Sequence, residues 1–184
     1  MRIISGEFRG RRLLSPPSDA TRPITDRAKQ SVFDSLSPLI AGARVYDCFA
    51  GTGSMGLECL SRGAEFATFF EADRAAVAML RKNVETLAVT SRSQIIAGDL
   101  FHWFDSAKTP RSQTDLIFLD PPYHFVTDRP AELVRLAGQL ATHIAPNGIL
   151  IFRHDARNEL PLSPFTQYQA KKYGNMAVEF LKVS

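Results

Sequence analysis

The sequence predicts an α/β protein built on a doubly wound, mostly parallel sheet of seven strands. Three observations carry that expectation. From residue 43 onward, short apolar runs of strand length alternate with amphipathic stretches, the pattern of parallel strands joined by crossover helices. The first of these runs leads into Ala50-Gly51-Thr52-Gly53, a glycine-bearing turn that opens a helix. The tail then breaks the alternation, because two strand-like runs flank Tyr173-Gly174-Asn175, an antiparallel hairpin closing one edge.

Taken in order, residues 2–5 and 11–14 read as a small β-hairpin around Gly6-Glu7-Phe8-Arg9-Gly10, and Ser15 to Asp19 as a linker. An N-terminal basic hairpin extension over residues 1–20 and a main domain over 21–184 follow from that division. Thr25 is placed to cap a helix whose buried face holds Ala28, Val32, Phe33 and Leu36, and Ser37-Pro38 is expected to end it. Strands are expected at 44–48, 66–71, 93–97, 115–119 and 148–153. Helices are expected near 54–62, 74–87, 100–105 and 130–142, with tail strands at 165–172 and 175–182.

Composition narrows the function classes. The chain has 184 residues and a net charge of +3, enough length for one self-sufficient core. Residues 1–30 carry seven basic side chains against three acids, so the remainder is close to neutral. A basic end on a neutral body points to a polyanion such as nucleic acid. Cys48 and Cys59 are the two cysteines. They have no metal-type spacing and read as reduced thiols of a cytoplasmic protein, with no metal site expected. No apolar run reaches the length of a membrane span, and the opening residues are no signal peptide.

The chain is organised around Leu116–Tyr123. Leu-Ile-Phe-Leu suits a strand buried on both faces, and Asp120-Pro121-Pro122-Tyr123 makes a stiff loop at its C-terminal end, where open α/β sheets place ligands. That loop offers a carboxylate, the Pro121 carbonyl and the face of Tyr123, which suit a flat ligand bearing an NH₂ group. Three further acids sit at strand ends. Asp47 precedes the glycine turn and suits a cationic group such as an α-amino group. Glu71 suits the two hydroxyls of a ribose, and Asp99 an adenine amine. Gly-x-Gly-x-x-Gly also fits a dinucleotide fingerprint, but Cys48, Phe49 and Ala50 delay the first glycine and Asp47 is unsuited to a pyrophosphate.

These residues resemble class I S-adenosylmethionine-dependent methyltransferases that act on exocyclic amines. Arg2-Ile3-Ile4-Ser5-Gly6-Glu7-Phe8-Arg9-Gly10-Arg11-Arg12-Leu13 and Thr21-Arg22-Pro23-Ile24-Thr25-Asp26-Arg27 resemble in particular the RsmD type, the bacterial 16S rRNA (guanine(966)-N2)-methyltransferases. The resemblance runs nearly end to end and implies a Rossmann-like methyltransferase fold. It implies that Asp47, Phe49, Gly51 and Gly53 cradle the methionine half of S-adenosylmethionine, that Glu71 holds the ribose, and that Asp99 and Leu100 hold the adenine. It also implies that Thr25, Arg22 and Arg27 border the cofactor's carboxylate and the RNA, and that Arg9, Arg11 and Arg12 meet phosphates. Asp120, Pro121 and Tyr123 are the implied catalytic residues, on 16S rRNA within a small-subunit particle, by a monomeric enzyme. One departure is Phe152-Arg153-His154 at the end of the fifth strand, where relatives are expected to carry an acid.

The residues leave rivals open. An adenine-N6 DNA methyltransferase shares the Asp-Pro-Pro-Tyr logic, but the chain has no room for a target-reading domain. A protein-glutamine methyltransferase usually carries Asn where Asp120 stands. A catalytically silent nucleic-acid-binding module would have little use for intact acids at three strand ends.

Overall fold

The computed structural model describes residues 1–15, 24–105 and 113–184. Arg22, most of the expected linker and the boundary expected after residue 20 lie outside them. The order of elements is α1 (Asp26–Ile40), β1 (Arg44–Cys48), α2 (Ser54–Ser61), β2 (Phe66–Glu71), α3 (Arg74–Thr86), β3 (Ser93–Ala97), α4 (Leu100–Asp105), β4 (Thr114–Leu119), α5 (Phe125–Asp128), α6 (Pro130–Leu140), β5 (Ile144–Asp155), β6 (Phe165–Tyr173) and β7 (Met176–Val183). The seven strands form one sheet in the order β3-β2-β1-β4-β5-β7-β6. Strands β1 to β5 pair in parallel, while β7 pairs antiparallel with both β5 and β6. The expected fold class holds.

The period of two along each strand divides the core. Val45, Phe69, Leu116, Phe118, Ile149 and Ile151 face α1, α2 and α3, whereas Tyr46, Phe70, Ile117, Leu119, Leu150 and Phe152 face α4 and α6. Phe33 of α1 lies against Phe118 with ring centroids 5.7 Å apart. Each such buried side chain is worth about 1.5–3 kcal/mol. Trp103 packs edge-on against Phe70 and Phe104, in the core layer under α4.

Two expectations are corrected. Helix α1 does not end at Ser37-Pro38 but runs on to Ile40. Pro38 removes a donor only in the last turn, and Ile40, 1% exposed, gains by staying helical and reaching the core. The N-terminal segment makes the expected hairpin, but its arms are too short to count as two strands. A single antiparallel bridge joins Arg2 to Arg12. Around it Ile3, Gly10 and Leu13 N–H close the hairpin onto the Arg11, Ile3 and Met1 carbonyls at 2.9, 2.9 and 3.0 Å. Other donors of the first arm and the tip go to α2: Ile4 and Ser5 N–H to the Glu58 carboxylate at 2.8 and 3.0 Å, Glu7 N–H to the Ser61 carbonyl at 2.7 Å, and Phe8 N–H to Ser61 Oγ at 2.9 Å. Gly6, at φ +84°, allows that approach, since a Cβ there would stand 1.9 Å from the Ser61 oxygen.

A buried ion pair fastens this segment. Lys29 Nζ lies 2.9 Å from Glu58 Oε2, with the two side chains 1% and 0% exposed. It also donates to the Arg2 carbonyl and to Ser54 Oγ. Burial pulls the Lys29 ammonium below its usual range, and the adjacent Glu58 opposes the fall. Phe8 packs against the main core from the same segment.

Candidate active site

The site forms at the C-terminal ends of β1, β2 and β4, where the strand order reverses direction around β1. After β1 the chain turns through Phe49 at φ +60°, Gly51 at +56° and Gly53 at +84°. Gly53 is the N-cap of α2, and its left-handed backbone aims the first turn of that helix at the mouth of the sheet. A Cβ on Gly51 would meet nothing within 4 Å, so open space lies over the loop at that point. Thr52 Oγ1 is buried without a hydrogen-bond partner among the described residues.

Three acids bracket this loop. Asp47, 1% exposed, lies beneath it and accepts from Gly56 N–H at 2.8 Å. Burial pushes its carboxyl up to about 8, the nearby Asp120 and Glu71 add to the rise, and the Gly56 bond opposes it. Glu71 ends β2 and accepts from Gly51 N–H at 2.7 Å and from Asp73 N–H at 2.8 Å. Asp99, exposed, accepts from Phe101 N–H at 2.9 Å, while Leu100 beside it is buried. The Phe49 ring packs edge-on against Phe101 and Phe125, and the Arg129 guanidinium covers both at 4.3 and 4.8 Å. The glycine loop, Asp47, Phe49, Glu71, Asp99 and Leu100 therefore share one region.

On the other side of the β1–β4 seam stands Asp120. Its N–H still reaches the Cys48 carbonyl at 3.3 Å, so the motif begins as a continuation of the ladder. The register pairs Leu119 with Phe152, which sets Asp120 beside Arg153 on the face toward α1. Arg153 Nε donates to Asp120 Oδ1 at 2.6 Å in a pair whose side chains are only 16% and 20% exposed. Burial by itself would lower the Arg153 guanidinium, but the Asp120 carboxylate outweighs it and holds the group more basic than usual. The same guanidinium lies 5.9 Å from the Tyr123 ring centroid and donates to Met176 Sδ at 3.7 Å. Sequence reasoning noted Arg153 as a departure and missed this pairing. Adjacent parallel strands ending in opposite charges were its signal.

Beyond Tyr123 an open cleft of about 330 Å³ runs between that residue, Ile24 and Thr25 at the start of α1, and the turn from Tyr173 to Met176. Thr25 Oγ1 caps α1 by accepting from Ala28 N–H at 3.2 Å, so this residue borders the cleft rather than the glycine loop's own hydrogen bonds. Arg9, Arg11, Arg12 and Arg27 are exposed. Among the described residues no cluster of three or more His, Cys, Asp or Glu is arranged to hold a metal, and no helix is long and apolar enough to cross a membrane.

Residues 1–182 match the family model described as Conserved hypothetical protein 95. The chain belongs to this family. Ribosomal RNA small subunit methyltransferase D of Escherichia coli strain K12 is 34% identical over 180 residues, covering 96% of this chain and 87% of that protein. YlbH of Bacillus subtilis strain 168 is 33% identical over 184 residues, covering 99% and 98%. The solved structure of Escherichia coli yhhF aligns with a TM-score of 0.84 at 30% identity, across 100% of this chain and 98% of that one. Similarity at this level spans the N-terminal segment as well as the sheet of this family member.

Proposed function

We propose that this chain transfers a methyl group from S-adenosylmethionine to the exocyclic N2 amine of a guanine in 16S rRNA, acting as a monomer on a small-subunit particle in the cytoplasm. The observation that carries the reading is the position of Asp120-Pro121, between the glycine loop on one side and the cleft on the other. The curated relative from Escherichia coli is named as a methyltransferase of small-subunit rRNA, and the free, buried Cys48 and Cys59 suit a reducing compartment.

The residues present fit the cofactor. Open space above Gly51, the buried Thr52 hydroxyl, unpartnered among the described residues, and a carboxylate at the end of β2 make a polar cradle for an amino acid joined to a ribose. In this reading Gly51, Gly53 and Phe49 hold the methionine half, Asp47 supports them from below, Glu71 holds the ribose, and Asp99 and Leu100 hold the adenine. Bound there, the cofactor supplies a sulfonium-activated methyl group.

The chain's own residues then act by positioning. Asp120 accepts one N–H of the target amine and the Pro121 carbonyl accepts the other, which fixes the nitrogen and directs its lone pair at the methyl carbon. The methyl group would pass to the nitrogen with loss of a neutral thioether from the donor, and Asp120 or water would take the proton that the methylated amine must then lose. Tyr123 stacks on the base, an interaction worth about 1–3 kcal/mol. Guanine N2 is inaccessible to such a loop within a helix, so the target base is unpaired or flipped out.

The test is transfer of labelled methyl to unmodified small-subunit particles, naked 16S rRNA and DNA, followed by digestion to nucleosides. Label in N2-methylguanosine is expected, and label in N6-methyladenine would overturn the substrate. Residues 1–20 and Arg22 and Arg27 are proposed to meet phosphates. Reversing the charge of Arg9, Arg11 and Arg12 should weaken RNA binding and flatten its salt dependence by roughly 0.7–0.9 for each phosphate no longer neutralised. An unchanged salt slope would remove this segment from the RNA interface.

A further inference from the structure

The turn between β6 and β7 has no part in the cofactor cradle or in the Asp120 loop, yet it forms one wall of the cleft beside them. Its geometry is held from outside: Asn175 C=O accepts from Ala156 N–H at 2.8 Å, and Gly174 takes φ +60° to make the turn. With the backbone pinned in this way, the exposed Asn175 carboxamide has no hydrogen bond among the described residues. Tyr173 is half-buried against the main core, and its hydroxyl is buried without a partner among the described residues. A buried hydroxyl left unsatisfied costs stability unless something else bonds it.

We infer that this cleft is the acceptor-base slot: one unstacked nucleobase enters between Tyr123 and the β6–β7 turn, with the Tyr173 hydroxyl and the Asn175 carboxamide as its polar partners. The inference rests on the rRNA methyl-transfer reading above and adds to it the residues that hold the base. Three features point to a nucleobase. The cleft, about 330 Å³, is at the small end of ligand sites, which suits one flat ring system rather than a whole cofactor. Aromatic side chains from two separate elements, Tyr123 and Tyr173, border it, and stacking platforms of this kind take any unpaired base. The third feature is continuity with the reacting group. Met176, at the cleft wall, touches the Arg153 guanidinium that holds Asp120, so the cleft adjoins the carboxylate through that one side chain.

The sheet order explains why the slot lies here. The glycine loop follows β1, on the β2–β3 side of the seam, while β5 and β7 continue the sheet on the other side of β4. A donor on one side and an acceptor on the other meet only over the end of β4, at Asp120.

The experiment compares the full-length wild type with Tyr173→Phe, Tyr173→Ala and Asn175→Ala. It measures labelled transfer to unmodified small-subunit particles, with S-adenosylmethionine affinity and thermal stability measured on the same samples. Tyr173→Phe keeps the ring in the core and removes only the hydroxyl, so it separates the absence of a hydrogen bond to the base from a folding defect. The expected result is an acceptor KM raised about 3–10-fold by Tyr173→Phe and by Asn175→Ala, and kcat/KM lowered about 10–100-fold by Tyr173→Ala, with cofactor affinity unchanged. Normal acceptor kinetics in Tyr173→Phe and Asn175→Ala, with an active wild type, would overturn the slot and leave the reaction standing. A wild type that binds cofactor but methylates neither particles nor naked rRNA would overturn the reaction reading, and the slot with it.

Discussion

The two sides of the seam between β1 and β4 are built by different means. On the glycine-loop side every carboxylate is held by backbone. Asp47 accepts from Gly56, Glu71 from Gly51 and Asp73, and Asp99 from Phe101. On the acceptor side Asp120 is held by a side chain, Arg153, from a strand 33 residues further along the chain. Any substitution other than proline leaves a backbone amide in place, so the first side is fixed by the path of its loops. The second depends on one guanidinium and on the register between β4 and β5. The proposed cofactor cradle is thus the rigid half of the site, and Asp120, the carboxylate proposed to meet the acceptor, is the adjustable half.

The largest expected effect breaks the acceptor half alone. Asp120→Ala removes the proposed hydrogen-bond acceptor for the target amine and should lower transfer by at least about 1,000-fold, roughly 4 kcal/mol of barrier. Cofactor affinity should stay within a few-fold, because none of the cradle's own hydrogen bonds is touched. Full activity in this variant would remove Asp120 from the chemistry.

A smaller effect is expected at Arg153. Removing it with Arg153→Ala leaves a mostly buried carboxylate without its partner, and a charged hydrogen bond of this kind is worth about 1.5–3 kcal/mol. The expected outcome is a 10–100-fold fall in kcat, with cofactor affinity unchanged. Arg153→Lys keeps the charge but loses the fixed direction of the Nε–H bond. Partial recovery of kcat by Lys would assign Arg153 to charge, and none would assign it to orientation. A wild-type kcat in Arg153→Ala would show that Asp120 needs no such anchor, and the contrast between the two halves would fall.

The same contrast explains what could be read from the sequence. Asp47, Glu71 and Asp99 were legible because each lies at or just past the end of a strand whose apolar run marks it, and Gly51 and Gly53 because the turn from β1 into α2 is local. The Asp-Pro-Pro-Tyr loop was legible for the same reason. The pairing of Asp120 with Arg153 was not, since it follows from Leu119 standing opposite Phe152 in the sheet, a relation between two strands that no local pattern contains. The N-terminal hairpin was legible, but not its anchorage: Glu58 and Ser61 of α2 take the amides of Ile4, Ser5 and Phe8, a relation to a helix more than fifty residues away. Helix α1 passing through Pro38 is likewise decided by burial of Ile40, which outweighs one missing hydrogen bond at a helix end.

The smallest effect sharpens the claim that the cradle is internally held. The Asp47 carboxyl is pushed up to about 8 by burial, while in the unfolded chain it titrates near 4. Between those values the unfolded state has released its proton and the folded state has kept it, so folding is favoured by acid. Stability from this group is therefore fully present below about pH 4, and declines as pH rises toward 8. Asp47→Asn retains an oxygen to accept from Gly56 N–H and removes the titration. Its advantage over the wild type should grow across pH 5–8 and level off above 8. The limiting slope is about 1.4 kcal/mol per pH unit. Relaxation around the group should leave the observed slope below that limit, so the melts read the sign of the difference and the pH window over which it grows. Thermal melts of both proteins from pH 5 to 9 measure it. A difference that does not change with pH would mean that Asp47 is already ionised under the loop, and that charge, rather than a neutral hydrogen-bonded carboxyl, supports the turn at Gly51.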